Sequence, residues 1–297
     1  MVTPQHPIVL AHGYVRFDLL TQALRRPLRS PRALAAFDRA FGDRLHYFRY
    51  VGRALRDRGF EVHAPTASFA GSLARRAAGL RAAVERILAA RGPDAKVHII
   101  GHSMGGLDAR HMIALLGMGD RVASLTTIGT PHLGTSVAEW RLQELAWPRR
   151  AIRLLETLGI DGSGAFDLTR TNCARFNTDA EAAEAANAVT YIAWASSQEA
   201  EEHVFMPLRR AWRIMLAREG PGDGLVSVAS QHWQPELRGP AGAKRVEQRT
   251  FPFPADHLNQ CAWWHPWTSP LPDRRPFEQK IRALYLPIAE DLRARFG

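Results

Sequence analysis

The stretch Val97-His98-Ile99-Ile100-Gly101-His102-Ser103-Met104-Gly105-Gly106-Leu107 decides how the rest of the chain is read. A run of apolar and β-branched residues reads as a buried strand, and the pattern from Gly105 to Leu116 reads as a helix. Between them, Gly101, Ser103 and Gly105 form G-x-S-x-G. The tripartite pattern alone arises by chance; its context makes it informative. A serine on a tight strand-to-helix turn has its hydroxyl lifted clear of the backbone, and the flanking glycines leave room for that bend. The helix that follows directs its first N–H groups at any negative charge developing beside the serine. The alternative is a tight turn without chemistry.

Outward from this unit, strand-like and helix-like segments alternate over the first 130 residues. His6–His12, Glu61–Ala67, Lys96–Gly101 and Ser124–Gly129 read as strands. Arg44–Arg58 and Gly71–Arg91 read as amphipathic helices ended by Gly59 and Gly92-Pro93. Alternation of this kind predicts a mostly parallel sheet with helices on both faces. Leu133–Asn187 holds no convincing strand and carries Trp140, Leu145, Trp147, Ile152, Leu154, Leu155 and Leu158 among many charges. It is expected to be helical, either as ordinary packing or as a cap or lid, with Val137–Trp147 as the lid segment. Strand pattern resumes at Val189–Ala195, and Arg249–Phe253 is a weaker strand. The tail Phe277–Phe296 reads as a helix broken or restarted at Pro287. With no internal repeat or low-complexity linker, the expectation is one domain over 1–297 with 133–187 inserted as the cap.

Bulk composition narrows the function classes. The chain has 297 residues, 46 % of them hydrophobic, and a formal charge of +10. Only Lys96, Lys244 and Lys280 are lysines, so arginine supplies the charge in scattered pairs such as Arg75-Arg76 and Arg209-Arg210. No dense basic tract forms, and no nucleic-acid partner is expected. No apolar run reaches the roughly 18 residues that a membrane span needs. The first residues lack a leader pattern, which fits a cytoplasmic protein if Met1 is the native start and a secreted one if a leader was removed. Cys173 and Cys261 suggest neither a metal set nor a disulfide framework: they are either one bridge or two inert thiols. No cofactor is expected.

A serine hydroxyl needs a base within reach and a group that orients the base. With the chain order serine, acid, histidine, the histidines before a late acid drop out and His232, His257 and His265 remain. His257 is preferred because it follows the last strand candidate in a loop; His232 is the runner-up. Asp223, flanked by Gly222 and Gly224, is the candidate acid, against the reading of a simple Asp-Gly turn. Asp256 would have to reach the ring of its own neighbour. The oxyanion donors are expected to be the backbone N–H groups of Met104 and Tyr14, with His12 structural.

Five ordered motifs carry a resemblance: Pro7–Gly13, Gly101–Gly106, Thr127-Ile128-Gly129-Thr130-Pro131-His132-Leu133-Gly134-Thr135, Asp223–Val226 and Asp256-His257-Leu258. Together they resemble the bacterial true lipases of the α/β-hydrolase superfamily, densely to about Thr135 and as short motifs to about Gln260. The resemblance implies the α/β-hydrolase fold with a mobile lid, hydrolysis of triacylglycerols or related lipid esters at a lipid–water interface, and the roles already given to Ser103, Asp223, His257, Tyr14 and Met104. An acyltransferase, a polyesterase, a short-chain esterase and a non-catalytic hydrolase-like binder remain as rivals. Two positions depart from the family. Gly222 replaces the usual Asn before the acid. Asn259 and Trp263 stand where many members place an Asp and a Gln on a structural calcium, a poor donor pair for a hard cation, so no such calcium is expected.

Overall fold

The computed structural model describes residues 6–13, 30, 47–48, 50–65, 71–144, 164–240, 242–263 and 274–297. In chain order these form β1 (Ile8–Ala11), α1 (Val51–Arg56), β2 (Val62–His63), α2 (Leu73–Leu88), β3 (Val97–His102), α3 (Met104–Leu115), β4 (Val122–Ile128), α4 (Ser136–Glu144), α5 (Gly164–Asp167), α6 (Arg170–Ala186), β5 (Thr190–Ala195), α7 (Arg209–Glu219), α8 (Val228–His232), β6 (Glu236–Gly239), β7 (Gly242–Arg245), β8 (Glu247–Thr250) and α9 (Arg274–Phe296).

Six strands make one sheet in the order β2-β1-β3-β4-β5-β8. Every pairing in it is parallel. The three central strands are buried on both faces, which explains their continuous apolar run. Side chains alternate between faces with period two. Ile8, Leu10, Ile100, Ile128 and Ile192 pack with Phe48, Val51 and Leu55 of the α1 region and with Ile281, Leu284, Tyr285 and Ile288 of α9. Val9, Ile99, Val122, Leu125 and Tyr191 face the other way, onto Leu80, Val84 and Leu88 of α2 and Met112 and Ile113 of α3. The result is three layers, helix, sheet, helix: the α/β-hydrolase fold.

Several boundaries differ from the sequence reading. The helix expected over Arg44–Arg58 is described only at Val51–Arg56, with Tyr47 and Phe48 in a bend before it and Tyr50 at φ 62° as its N-cap. The strand expected over Glu61–Ala67 shrinks to Val62–His63, and Pro65 just beyond has no N–H to give a ladder. β8 sits earlier than Arg249–Phe253, stopping short of Pro252. α9 is not broken: it runs from Arg274 to Phe296 through Pro287. The buried stripe Ile281, Leu284, Tyr285, Ile288, Ala289 and Leu292 holds both halves of α9 on the core, and that packing offsets the hydrogen bond lost at the proline. The antiparallel hairpin β6–β7 was not anticipated. Its polar sequence carries no strand alternation; Leu237 alone is fully buried there.

Between 133 and 187 the described residues are helical or irregular. Cys173, Phe176 and Ala180 of α6 share an apolar cluster with Met104 and Leu107 of α3. Arg110 on α3 meets Glu184 on α6 through two bonds of 2.7 and 2.9 Å, both side chains fully buried. Cys173 and Cys261 are separate free thiols, so the two-inert-thiol alternative holds. Among the described residues no helix is long and apolar enough to cross a membrane.

His98, His102 and His132 are buried as neutral rings. Burial and then neighbouring His6 push His98 down to about 3, and its Nδ1 lies 2.7 Å from Ser124 Oγ. Burial, then His257, holds His102 well below the usual range, and burial, then Arg110, does the same to His132. In the unfolded chain each takes a proton near pH 6.5. Unfolding therefore takes up protons below that value, and stability is lost as pH falls. The unfolding free energy should drop between pH 6.5 and 5 by up to about 1.4 kcal/mol per pH unit for each such histidine. Denaturant titrations at constant ionic strength check this, and a flat profile over the interval contradicts it.

Candidate active site

Ser103 lies where β3 becomes α3, with φ 55° and ψ −133°. A left-handed backbone at a residue with a Cβ is strained, and neighbours must hold it. Its N–H donates to the Ile128 carbonyl at 2.9 Å, and its carbonyl accepts from the Gly106 N–H at 3.1 Å and from Thr130 Oγ1 at 2.9 Å. The Thr127–Thr135 motif thus acts locally, clamping the turn from the next strand. Gly105 explains the tightness. A Cβ there would land on the backbone carbonyl of Ala11, which cannot move aside as a flexible side chain could. A Cβ on Gly13 would come within 2.8 Å of Ser103 Cβ and 2.5 Å of the Tyr47 hydroxyl. The loop after β1 and the serine turn therefore fit only with glycine at both contacts.

Ser103 Oγ lies 2.9 Å from His257 Nε2, and His257 Nδ1 lies 2.7 Å from Asp223 Oδ2. Asp223 is fully buried and His257 is 4 % exposed. A carboxylate only accepts, so His257 donates from Nδ1, and its Nε2 lone pair faces the serine proton. Asp223 sits in the tight turn after α7, where its Oδ1 accepts the N–H groups of Leu225 and Val226 at 2.9 and 2.8 Å. Its carbonyl also accepts the His257 N–H at 2.8 Å, tying the acid's turn to the histidine's loop. Three residues that sequence order selected are thus brought into one hydrogen-bonded line. Gly222 does not impair it: its backbone bridges Ser227 across the same turn.

The other candidates go elsewhere. His232 ends α8, with Nε2 3.2 Å from both the Arg249 carbonyl and Thr250 Oγ1. Asp256 serves its own loop, accepting the N–H groups of Phe205, Leu258 and Asn259 at 2.8 to 3.0 Å. His265 and Tyr14 lie outside the described residues. Met104 opens α3, where a first-turn N–H has no acceptor within the helix. The calcium positions do not fit a cation. The Asn259 oxygen accepts the Asp256 N–H, its amide donates to the Trp263 carbonyl, and the Trp263 indole donates to the Tyr47 carbonyl.

Sequence reasoning missed the supports. Arg76, on the buried face of α2, grips Asp108 of α3 with contacts of 2.6 to 3.0 Å. The same Nη2 that meets Asp108 also reaches the carbonyls of His12 and Gly13 at 3.0 and 3.3 Å, so one guanidinium pins the loop beside the serine. An arginine in an otherwise apolar helix stripe was the available signal.

The comparisons agree with this fold. A family profile described as alpha/beta hydrolase fold matches residues 39–154. The chain is similar to a triacylglycerol lipase of Vibrio cholerae, 28 % identical over 257 residues that span 77 % of this chain and 74 % of that one. It is also similar to a triacylglycerol lipase of Pseudomonas fragi, 26 % identical across 87 % of this chain and 88 % of that one. Among solved structures, a metagenomic carboxyl esterase superposes with a TM-score of 0.63 at 16 % identity, covering 98 % of this chain and 77 % of that one. Fold, serine turn and relatives define a serine ester hydrolase with the α/β-hydrolase fold. Within it, the chain is similar to the bacterial triacylglycerol lipases.

Replacing Gly105 with alanine should force the serine turn off the end of β1. The expected cost is about 1–3 kcal/mol of stability, the usual range for overpacking. Denaturant midpoints of wild type and Gly105→Ala check it. An alanine variant as stable as wild type would contradict the close approach.

Proposed function

We propose that Ser103, His257 and Asp223 act as the catalytic triad of this ester hydrolase, working through an acyl-enzyme on lipid esters of the triacylglycerol kind. The observation that carries the reading is the line Ser103 Oγ, His257, Asp223, with steps of 2.9 and 2.7 Å. His257 Nε2 takes the serine proton as Ser103 Oγ attacks the ester carbonyl. The tetrahedral intermediate places its oxyanion against the N–H groups of Met104 and Tyr14. Asp223 keeps the ring in the tautomer this step needs and stabilises the imidazolium. The imidazolium returns its proton to the leaving alcohol. Water then repeats the sequence on the acyl-enzyme and regenerates Ser103. The grip of Arg76 on the carbonyls of His12 and Gly13 supports the Tyr14 assignment, because it sets the loop from which that donor would project.

The lipid class rests on the names of the Vibrio cholerae and Pseudomonas fragi relatives. The cap over 133–187 is part of the same proposal. Its support is that the described part of that segment holds helices and no strand, together with Val137 and Trp140 packed on Val204 and Trp212 outside it. A cap of this kind implies higher turnover at an oil–water interface. A short-chain esterase, polyesterase or acyltransferase would share the triad and differ in acyl preference or acceptor.

Ser103→Ala should lower p-nitrophenyl ester turnover by several orders of magnitude. Wild type, run on a series of acyl lengths and on emulsified triglyceride, should favour longer chains and gain rate at the interface. Near-normal turnover by Ser103→Ala ends the triad proposal. A wild type confined to short soluble esters ends the lipase assignment alone.

A further inference from the structure

A second line of buried hydrogen bonds meets the triad at its acid. Gln260 lies three residues after His257, in the turn Asn259–Cys261, fully buried. Its Nε2 is 2.9 Å from Asp223 Oδ2, the same oxygen that receives His257, and 2.8 Å from Ser196 Oγ. Ser196 donates its own proton to the Ala255 carbonyl at 2.9 Å, so toward Gln260 it accepts. A carboxylate accepts as well, and both contacts therefore demand the NH2 end of the amide. The carbonyl end is left facing His102 Nε2 at 2.8 Å. An amide oxygen cannot donate, so His102 carries its proton on Nε2. Its bare Nδ1 accepts the Tyr47 hydroxyl at 2.7 Å. That hydroxyl in turn takes a backbone hydrogen bond from Gly13, beside the oxyanion loop.

The line has one direction throughout: Gly13 to Tyr47, Tyr47 to His102, His102 to Gln260, Gln260 to Asp223. No member can reverse without setting two acceptors or two donors against each other. The His102 ring lies 4.7 Å from the His257 ring. Burial keeps His102 neutral, so it does not compete with His257 for the proton that leaves Ser103.

We propose that Gln260 is a positioning residue for ester hydrolysis, holding Asp223 Oδ2 in place for His257, and that neutral His102 and Tyr47 lock its amide in the donating orientation. The proposal rests on the triad reading. Its consequence is that the charge on Oδ2 is shared between two donors. With the amide gone, the full charge falls to His257, the imidazolium is better stabilised, and the ring gains a proton at higher pH. Among the described residues, Asp223, Ser103 and His102 face this ring. Asp256, the position before His257, is buried, and burial first and the Asp223 charge among later causes push its carboxyl up to about 6. Tyr47, Cys261 and Tyr285 surround the line, and burial pushes each of them up, so they stay protonated.

The test is the pH dependence of kcat/KM on a p-nitrophenyl ester for wild type, Ser103→Ala, Gln260→Met and Gln260→Asn. Methionine keeps the volume without the amide; asparagine keeps the amide but is one methylene too short to span both partners. Both Gln260 variants should keep KM within about twofold. They should lose roughly ten- to a hundredfold in kcat, the worth of one hydrogen bond to a charged group. Their acid limb should move to higher pH. An equal loss at every pH with an unmoved limb would mean packing alone and overturn the proposal. Activity surviving in Ser103→Ala would remove the triad reading itself, whereas an inactive Ser103→Ala beside unmoved Gln260 limbs removes only the positioning role. Ring-nitrogen NMR on wild type needs no variant to fold. His102 should be protonated on Nε2 alone from pH 5 to 8; protonation on Nδ1, or titration in that range, overturns the proposal.

Discussion

The strained backbone of Ser103 is the constraint on which the rest of the structure depends. A residue with a Cβ does not hold φ 55° unless its surroundings compel it. Here the compulsion is distributed. β4 accepts the serine N–H, Thr130 donates to its carbonyl, and α3 starts immediately after it with glycines that let the loop following β1 lie against the turn. The bend turns the hydroxyl away from the strand and toward a histidine 154 positions later in the chain. A parallel sheet suits such a convergence. Its strands all end on one side, so the ends of β1, β3 and β4 and the loops after β5 meet around a single point.

Buried charge is the second recurring device. Arg76–Asp108 ties α2 to α3 and holds the loop after β1. Arg110–Glu184 ties α3 to α6, while the Arg110 guanidinium sits 3.6 Å over the Trp233 ring, which stacks on His132. Pairs of this kind are weak evidence of net stability, since desolvation offsets much of the attraction. Their directional bonds serve geometry instead. Losing either partner would strand a charge in a dry interior, so both helices stay in register with the serine turn. The His102–Gln260 line follows the same logic with neutral groups up to Asp223: the tautomer and amide orientation that satisfy one contact satisfy the rest.

How much of this was legible in the sequence follows from how local each feature is. The serine turn is written in consecutive residues, and strand, G-x-S-x-G and helix could be read together. Asp223 and His257 were reachable by chain order and by the glycine-flanked turn. The supports were not. Gln260 meets Asp223 across 37 positions, Tyr47 meets His102 across 55, and Arg76 meets Asp108 across 32. None of these pairings has a spacing rule. Tertiary packing also overrode local signals, carrying α9 through Pro287 because both halves bury one apolar stripe. The β6–β7 hairpin stayed hidden because its outward polar face left no alternation to read.

The central claim is that the oxygen of residue 103 is nucleophilic because His257 and Asp223 make it so. The most direct measurement is to expose the native protein to a fluorophosphonate, digest it, and locate the adduct by mass spectrometry. A single phosphonylated residue, Ser103, should form in the folded protein and be lost when the protein is denatured first. An unlabelled Ser103, or an adduct carried by another residue, would contradict the claim.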